Sequence, residues 1–118
     1  MKRIEIPSMG EGQQIWFNIG RLKRVESILK KPIHEVANEM VGLNITNLVV
    51  LLQVGMSQNG FKSEQYYEEK LQEALDGGVP LEEIYQAVLK ALIGCGVLGK
   101  AAYYNIFPDE ADEEAEKN

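Results

Sequence analysis

The spacing of apolar residues changes several times along this 118-residue chain, and each change marks an element. Lys2 to Ile6 alternates polar and apolar, and Gln13 to Phe17 carries Ile15, Trp16 and Phe17. The turn formers Pro7-Ser8-Met9-Gly10-Glu11-Gly12 lie between them, so a short β-hairpin is expected. From Asn18 the period becomes helical. Leu22, Val25 and Leu29 share one face, while Arg21, Lys23, Arg24 and Lys30 fall largely elsewhere and give the helix a basic outer side. Pro32 closes this helix and can open a second, in which Ile33, Val36, Ala37 and Met40 repeat before Gly42 stops it.

Asn44 or Thr46 can cap the next segment, whose Leu48, Val49, Val50, Leu51, Leu52 and Val54 are apolar on every side. Such a helix has to be surrounded. Val49 and Val50 would also suit a buried strand, but the stretch to Ser57 is nearer helical length. Ser63 starts a fourth helix with Tyr67, Leu71, Ala74 and Leu75 on one face, ended by Gly77-Gly78. Pro80 opens a fifth, through Leu81, Ile84, Tyr85, Val88, Leu92 and Cys95. Its small residues Ala87, Ala91 and Gly94 would let another helix approach, marking it as the main packing helix. Tyr103, Tyr104, Ile106 and Phe107 follow as an aromatic patch just before Pro108. The expected fold is therefore mainly α: a small domain of about five helices preceded by a short N-terminal β-hairpin, spanning residues 1–107.

Charge adds a tail to this picture. The net charge of −6 is uneven: residues 1–36 carry +3, residues 37–107 carry −4 and residues 108–118 carry −5. Residues 108–118 have no apolar periodicity, so a disordered acidic tail is expected there. With 45% hydrophobic residues the chain can form one core without disulfides or a structural metal. Cys95 has no second cysteine to pair with, the first residues lack an apolar signal core, and no apolar run is long enough to span a bilayer. A reducing, cytoplasmic setting is the expectation.

Candidate chemistry is sparse. Gly94-Cys95-Gly96-Val97-Leu98-Gly99 matches GxGxxG, but the dinucleotide fingerprint needs a preceding strand, and here the run ends a helix. Close packing or a helix break is its expected use. His34 has no second His or Cys at ligand spacing, and Cys95 has no neighbouring base and lies on an apolar face, as a buried, inert thiol would. Glu68-Glu69 and Glu82-Glu83 are adjacent on helices and point apart, which suits solvation rather than proton sharing. No enzyme, catalytic residue, cofactor or metal is expected. The two short helices around Gly42 could imitate a helix-turn-helix DNA-binding regulator, but residues 44–58 contain no Lys or Arg to meet phosphate.

Read end to end, the order of elements resembles the tail assembly chaperones of long-tailed phages and prophages. The likeness covers roughly residues 4 to 103. It is carried by the hairpin IEI…IWF and by the basic-faced NIGRLKRVESILKKPI, where Leu22, Val25, Glu26 and Pro32-Ile33 hold the comparable places. It continues in LNITNLVVLLQVGM, with Leu51, Leu52 and Gly55, and in FKSEQYYEEKLQEAL followed by GGVPLEEIYQAVLKALIGCGVLG, with Gly78, Val88 and Leu92. The acidic ending matches no motif of the family. The resemblance implies a non-enzymatic assembly factor that acts in the host cytoplasm and binds the tape measure protein. It also implies recruitment of tail tube protein, self-association into a homo-oligomer, and absence from the mature virion. Several members gain a C-terminal extension by ribosomal frameshift.

From position alone, Tyr103, Tyr104, Ile106 and Phe107 are the candidate partner contacts, because four large apolar residues cluster where the last helix gives way to a charged tail. The competing expectation is that they fold back and close the core of their own chain. A prophage DNA-binding regulator of the helix-turn-helix type is the alternative function, and a generic prophage interaction module a further one.

Overall fold

The computed structural model describes residues 1–110. Strand β1 (Ile4–Glu5) pairs antiparallel with β2 (Gln14–Ile15), Ile4 opposite Ile15 and Glu5 opposite Gln14. A 3₁₀ turn at Pro7–Met9 joins them, and Ile6, Met9, Ile15 and Phe17 point into the core.

Helix α1 (Ile19–Leu29) begins where the Asn18 side chain accepts a hydrogen bond from the Arg21 amide at 2.9 Å. It buries Leu22 and Val25 and leaves Lys23 and Arg24 exposed. Helix α2 (Ile33–Met40) has Pro32 at its cap, which offers no side-chain acceptor. Glu26 reaches across from α1 instead, and its Oε2 accepts from the Ile33 amide at 2.8 Å. A carboxylate there satisfies an orphan N–H and opposes the positive end of the helix dipole.

Helix α3 (Ile45–Gly55), capped by Asn44, is buried at every position from Asn47 onward and packs against α1, α2, α4 and α5. It is the central helix, a place the sequence reading assigned to α5. The reason lies in the opposite faces: α5 turns Glu82, Glu83, Gln86 and Lys90 to solvent, whereas α3 has no such side. A fully buried Leu contributes about 1.5–3 kcal/mol, so Leu48, Leu51 and Leu52 make α3 the main source of core burial. Two polar side chains ride inside it. Asn47 Nδ2 donates to Glu39 Oε2 at 3.4 Å and Gln53 Nε2 donates to the Lys62 carbonyl at 2.9 Å. Their carbonyl oxygens find no hydrogen-bond partner among the described residues.

Helix α4 (Glu64–Asp76) starts at Ser63, whose hydroxyl accepts from the Tyr66 amide at 3.1 Å. Tyr67, Leu71 and Ala74 are buried, but Leu75, expected on the same face, is 42% exposed. One residue beyond Ala74 the helix has rotated about 100° away from the core. Helix α5 (Leu81–Gly94) buries Ile84, Tyr85, Val88, Ala91 and Leu92. Tyr103, Tyr104 and Ile106 of the aromatic patch then fall in a short sixth helix, α6 (Lys100–Ile106), which packs on α5, and Phe107 stands at its C-terminal cap. The fold is thus mainly helical with a short N-terminal antiparallel hairpin, as expected. Of the segment 108–118 expected to be disordered, residues 108–110 are helical and Glu110 is tied to Lys2; the remainder lies outside the described residues. Among the described residues no helix is long and apolar enough to cross a membrane.

Candidate partner-binding surface

Gly96 and Gly99 have φ of 85° and 94°, a region that strains any residue with a Cβ, and they turn the chain from α5 into α6. This is where the GxGxxG run sits. A helix precedes it and no strand does, so its glycines serve the reversal rather than a phosphate loop. Gly94 serves a close approach: a Cβ there would stand 2.9 Å from Lys2 Cβ and 3.6 Å from Phe107 Cε2. The N-terminal segment and α6 therefore converge on the end of α5.

The four candidate contacts meet at this convergence, and all are half-buried. Tyr103 stacks edge-on to Tyr104 with ring centres 5.5 Å apart and lies 4.9 Å from the Phe107 ring. Lys2 and Lys90 place their ammonium groups 5.2 and 5.7 Å from the centre of Phe107. Lys2 also pairs with Glu110 at 2.9 Å, and the Tyr103 hydroxyl donates to both Glu110 oxygens at 3.1 Å. The hydrogen bond from Lys2 holds the Glu110 carboxyl below its usual range, and the same bond raises the Lys2 ammonium. Burial, then the bond to Glu110, pushes the Tyr103 phenol up. Lys2, Tyr103, Phe107 and Glu110 thus clamp the two ends of the described chain together.

Ile106 does something different. It lines an open groove of about 230 Å³ with Ile4, Ala87 and Leu89, flanked by Glu5, Gln86 and Lys90. Strand β1, whose only ladder partner among the described residues is β2, lies along this groove beside α5 and α6. The structure therefore divides the four residues: Tyr103 and Phe107 are committed to contacts within the chain, Tyr104 abuts Tyr103, and Ile106 opens onto a groove.

A second apolar exposure escaped the sequence reading. Val41 is 80% and Ile45 58% exposed on either side of the turn that joins α2 to α3. Their apolar type at a glycine-marked turn was the available signal.

The remaining candidates are scattered. His34 is exposed in the first turn of α2. The Cys95 thiol is half-buried just past α5, donates to the Leu92 carbonyl at 2.9 Å, and is raised by burial. Glu68, Glu69, Glu82 and Glu83 are exposed, with Glu69 and Glu82 accepting from Gln65 and Gln86 one helical turn away. Among the described residues no three His, Cys, Asp or Glu side chains gather as a metal site requires. Helix α3, the recognition helix of the DNA-binding alternative, exposes only Ile45 and Thr46. A helix buried from Asn47 to Gly55 cannot also enter a groove of DNA. Comparison of the chain with protein-family models, with curated proteins and with solved structures finds no match.

Proposed function

We propose that this chain is a non-enzymatic tail assembly chaperone of a phage or prophage, which self-associates, binds the tape measure protein and helps tail tube subunits assemble in the host cytoplasm. The reading rests on the order of elements, hairpin, basic-faced helix, all-apolar helix and two amphipathic helices, which the resemblance named. The observation that carries it is the groove at Ile106. It is apolar where Ile4, Ala87, Leu89 and Ile106 line it, polar at Glu5, Gln86 and Lys90, and small enough to take a few apolar side chains at a time. A chaperone that must later release its client needs moderate contacts of this kind, repeated along a long helical partner, rather than one large permanent interface.

Sedimentation velocity of the chain alone and with tape measure fragments tests this. The expected result is a homo-oligomer that shifts to a larger species with the fragments. A strict monomer at high concentration that captures no fragment would overturn the proposal.

A further inference from the structure

The chain has three arginines, and each lies over an aromatic ring. The guanidinium carbons of Arg3 and Arg21 lie 5.2 and 3.2 Å from the centre of the Trp16 ring, and that of Arg24 lies 3.7 Å from the centre of Phe61. Although acids outnumber bases in the chain by eighteen to twelve, no arginine is within ion-pair distance of a carboxylate among the described residues. The ion pairs among those residues use lysine.

These groups make one surface. Arg21 and Arg24 are three residues apart on α1 and so share a side of the helix. Arg21 Nη1 donates to the carbonyls of Trp16 and Gly55 at 3.1 and 2.8 Å and to Gln58 Oε1 at 3.2 Å. Gln58 in turn donates to the Gln14 carbonyl at 2.6 Å, tying the hairpin to the loop that carries Phe61. Every acceptor on Arg21 is neutral, and its Nε and Nη2 donate to no described residue. Burial and the nearby Arg3 charge both disfavour the charged form of Arg21. Its positive charge is therefore held in place by a ring and neutral acceptors and meets no carboxylate among the described residues.

We propose that the surface of Arg3, Trp16, Arg21, Arg24 and Phe61 is a docking site for an acidic polypeptide segment in which carboxylates alternate with apolar side chains. The planar forks match carboxylates, their aromatic backing reduces the entropy lost on pairing, and exposed ring area beside the charges accepts the interleaved apolar groups. Nucleic acid fits less well. The exposed Glu64, Glu68, Glu69 and Glu73 of α4, which begins three residues after Phe61, would repel a polyanion that extended past the patch on that side. This inference does not depend on the chaperone reading.

Trp16 is the only tryptophan, so its fluorescence reads the site directly. Titration of the full chain with a synthetic Glu-Glu-Leu repeat peptide is expected to give a saturable change that weakens as salt rises, with no such change for a Gln-Gln-Leu repeat. Replacing the exposed pair together, Arg3→Gln with Arg24→Gln, should weaken binding about five-fold or more while leaving the melting temperature in place. The proposal is overturned by absence of a saturable change, by equal affinity of the double variant, or by tighter binding of a single-stranded oligothymidine than of the peptide. Failure of the peptide would leave tape measure capture as a separate question.

Discussion

Gly55 approaches Ile15 so closely that a Cβ on the glycine would stand 2.6 Å from Ile15 Cγ1, and 2.8 Å from Cζ of Phe17. The end of the central helix is thus seated directly on the hairpin. The Gly55 carbonyl secures the seat by accepting from the Trp16 amide at 3.1 Å and from Arg21 at 2.8 Å. Gly55→Ala should therefore destabilise the protein by about 1–3 kcal/mol, despite the better helix propensity of alanine, because the methyl meets packed side chains. Urea unfolding checks this: a lower midpoint with unchanged slope is expected, and an unchanged or higher midpoint would mean that the hairpin moves aside freely.

The Lys2–Glu110 pair has a defined pH window. Glu110 is depressed in the folded chain, so its contribution is present above the unfolded carboxylate pKa and is lost as pH falls through the folded value. Lys2 is raised, so its contribution is complete below the unfolded lysine pKa and is lost as pH rises through the folded value. The clamp should hold across the neutral range and loosen at both extremes. Protection of the amides near Lys2 and Tyr103, taken relative to the intrinsic exchange rate at each pH, should fall in acid in the native chain and show no such step in Glu110→Gln.

Tyr103 and Phe107 are half-buried and engaged within the chain, which makes their truncation a question of stability. Phe107→Ala removes the ring that covers Gly94 and carries both lysine contacts, and a loss of about 1–3 kcal/mol is expected in thermal unfolding. Tyr104→Ala, whose ring contact in the structure is with Tyr103, should cost less. Equal losses would show that the rings of Tyr104 and Phe107 are not divided as the structure places them.

Cys95 should be a slow thiol. Burial raises it above its ordinary value and its Sγ–H is occupied by the Leu92 carbonyl, so little thiolate is available near neutrality. Reaction with a disulfide reagent at mildly alkaline pH should be slower in the folded chain than in denaturant. Equal rates would indicate that the turn after α5 opens readily.

Local signals made most of the framework legible. Asn18, Asn44 and Ser63 stand at the helix starts that their side chains cap, and the all-round apolar character of residues 48–54 anticipated a surrounded helix. Two kinds of information were out of reach. Helix α6 is one short element behind a glycine run, too brief for periodicity to register. The arginine surface depends on contacts between Arg21 and residues 34 and 37 positions away, and no local pattern encodes those. The candidate site was half legible: clustering marked Tyr103, Tyr104, Ile106 and Phe107 as a group, but only the arrival of β1 beside α5 and α6 separates the groove residue Ile106 from the clamp.

The most direct measurement of the central claim is calorimetric titration of tape measure fragments into the native chain and into Ile106→Glu, with melting temperatures recorded alongside. Ile106 lines an open groove, so a carboxylate there is expected to leave folding nearly intact while weakening fragment binding about ten-fold or more. Undiminished binding by a folded Ile106→Glu chain, or no heat from the native chain at any concentration, would contradict the account.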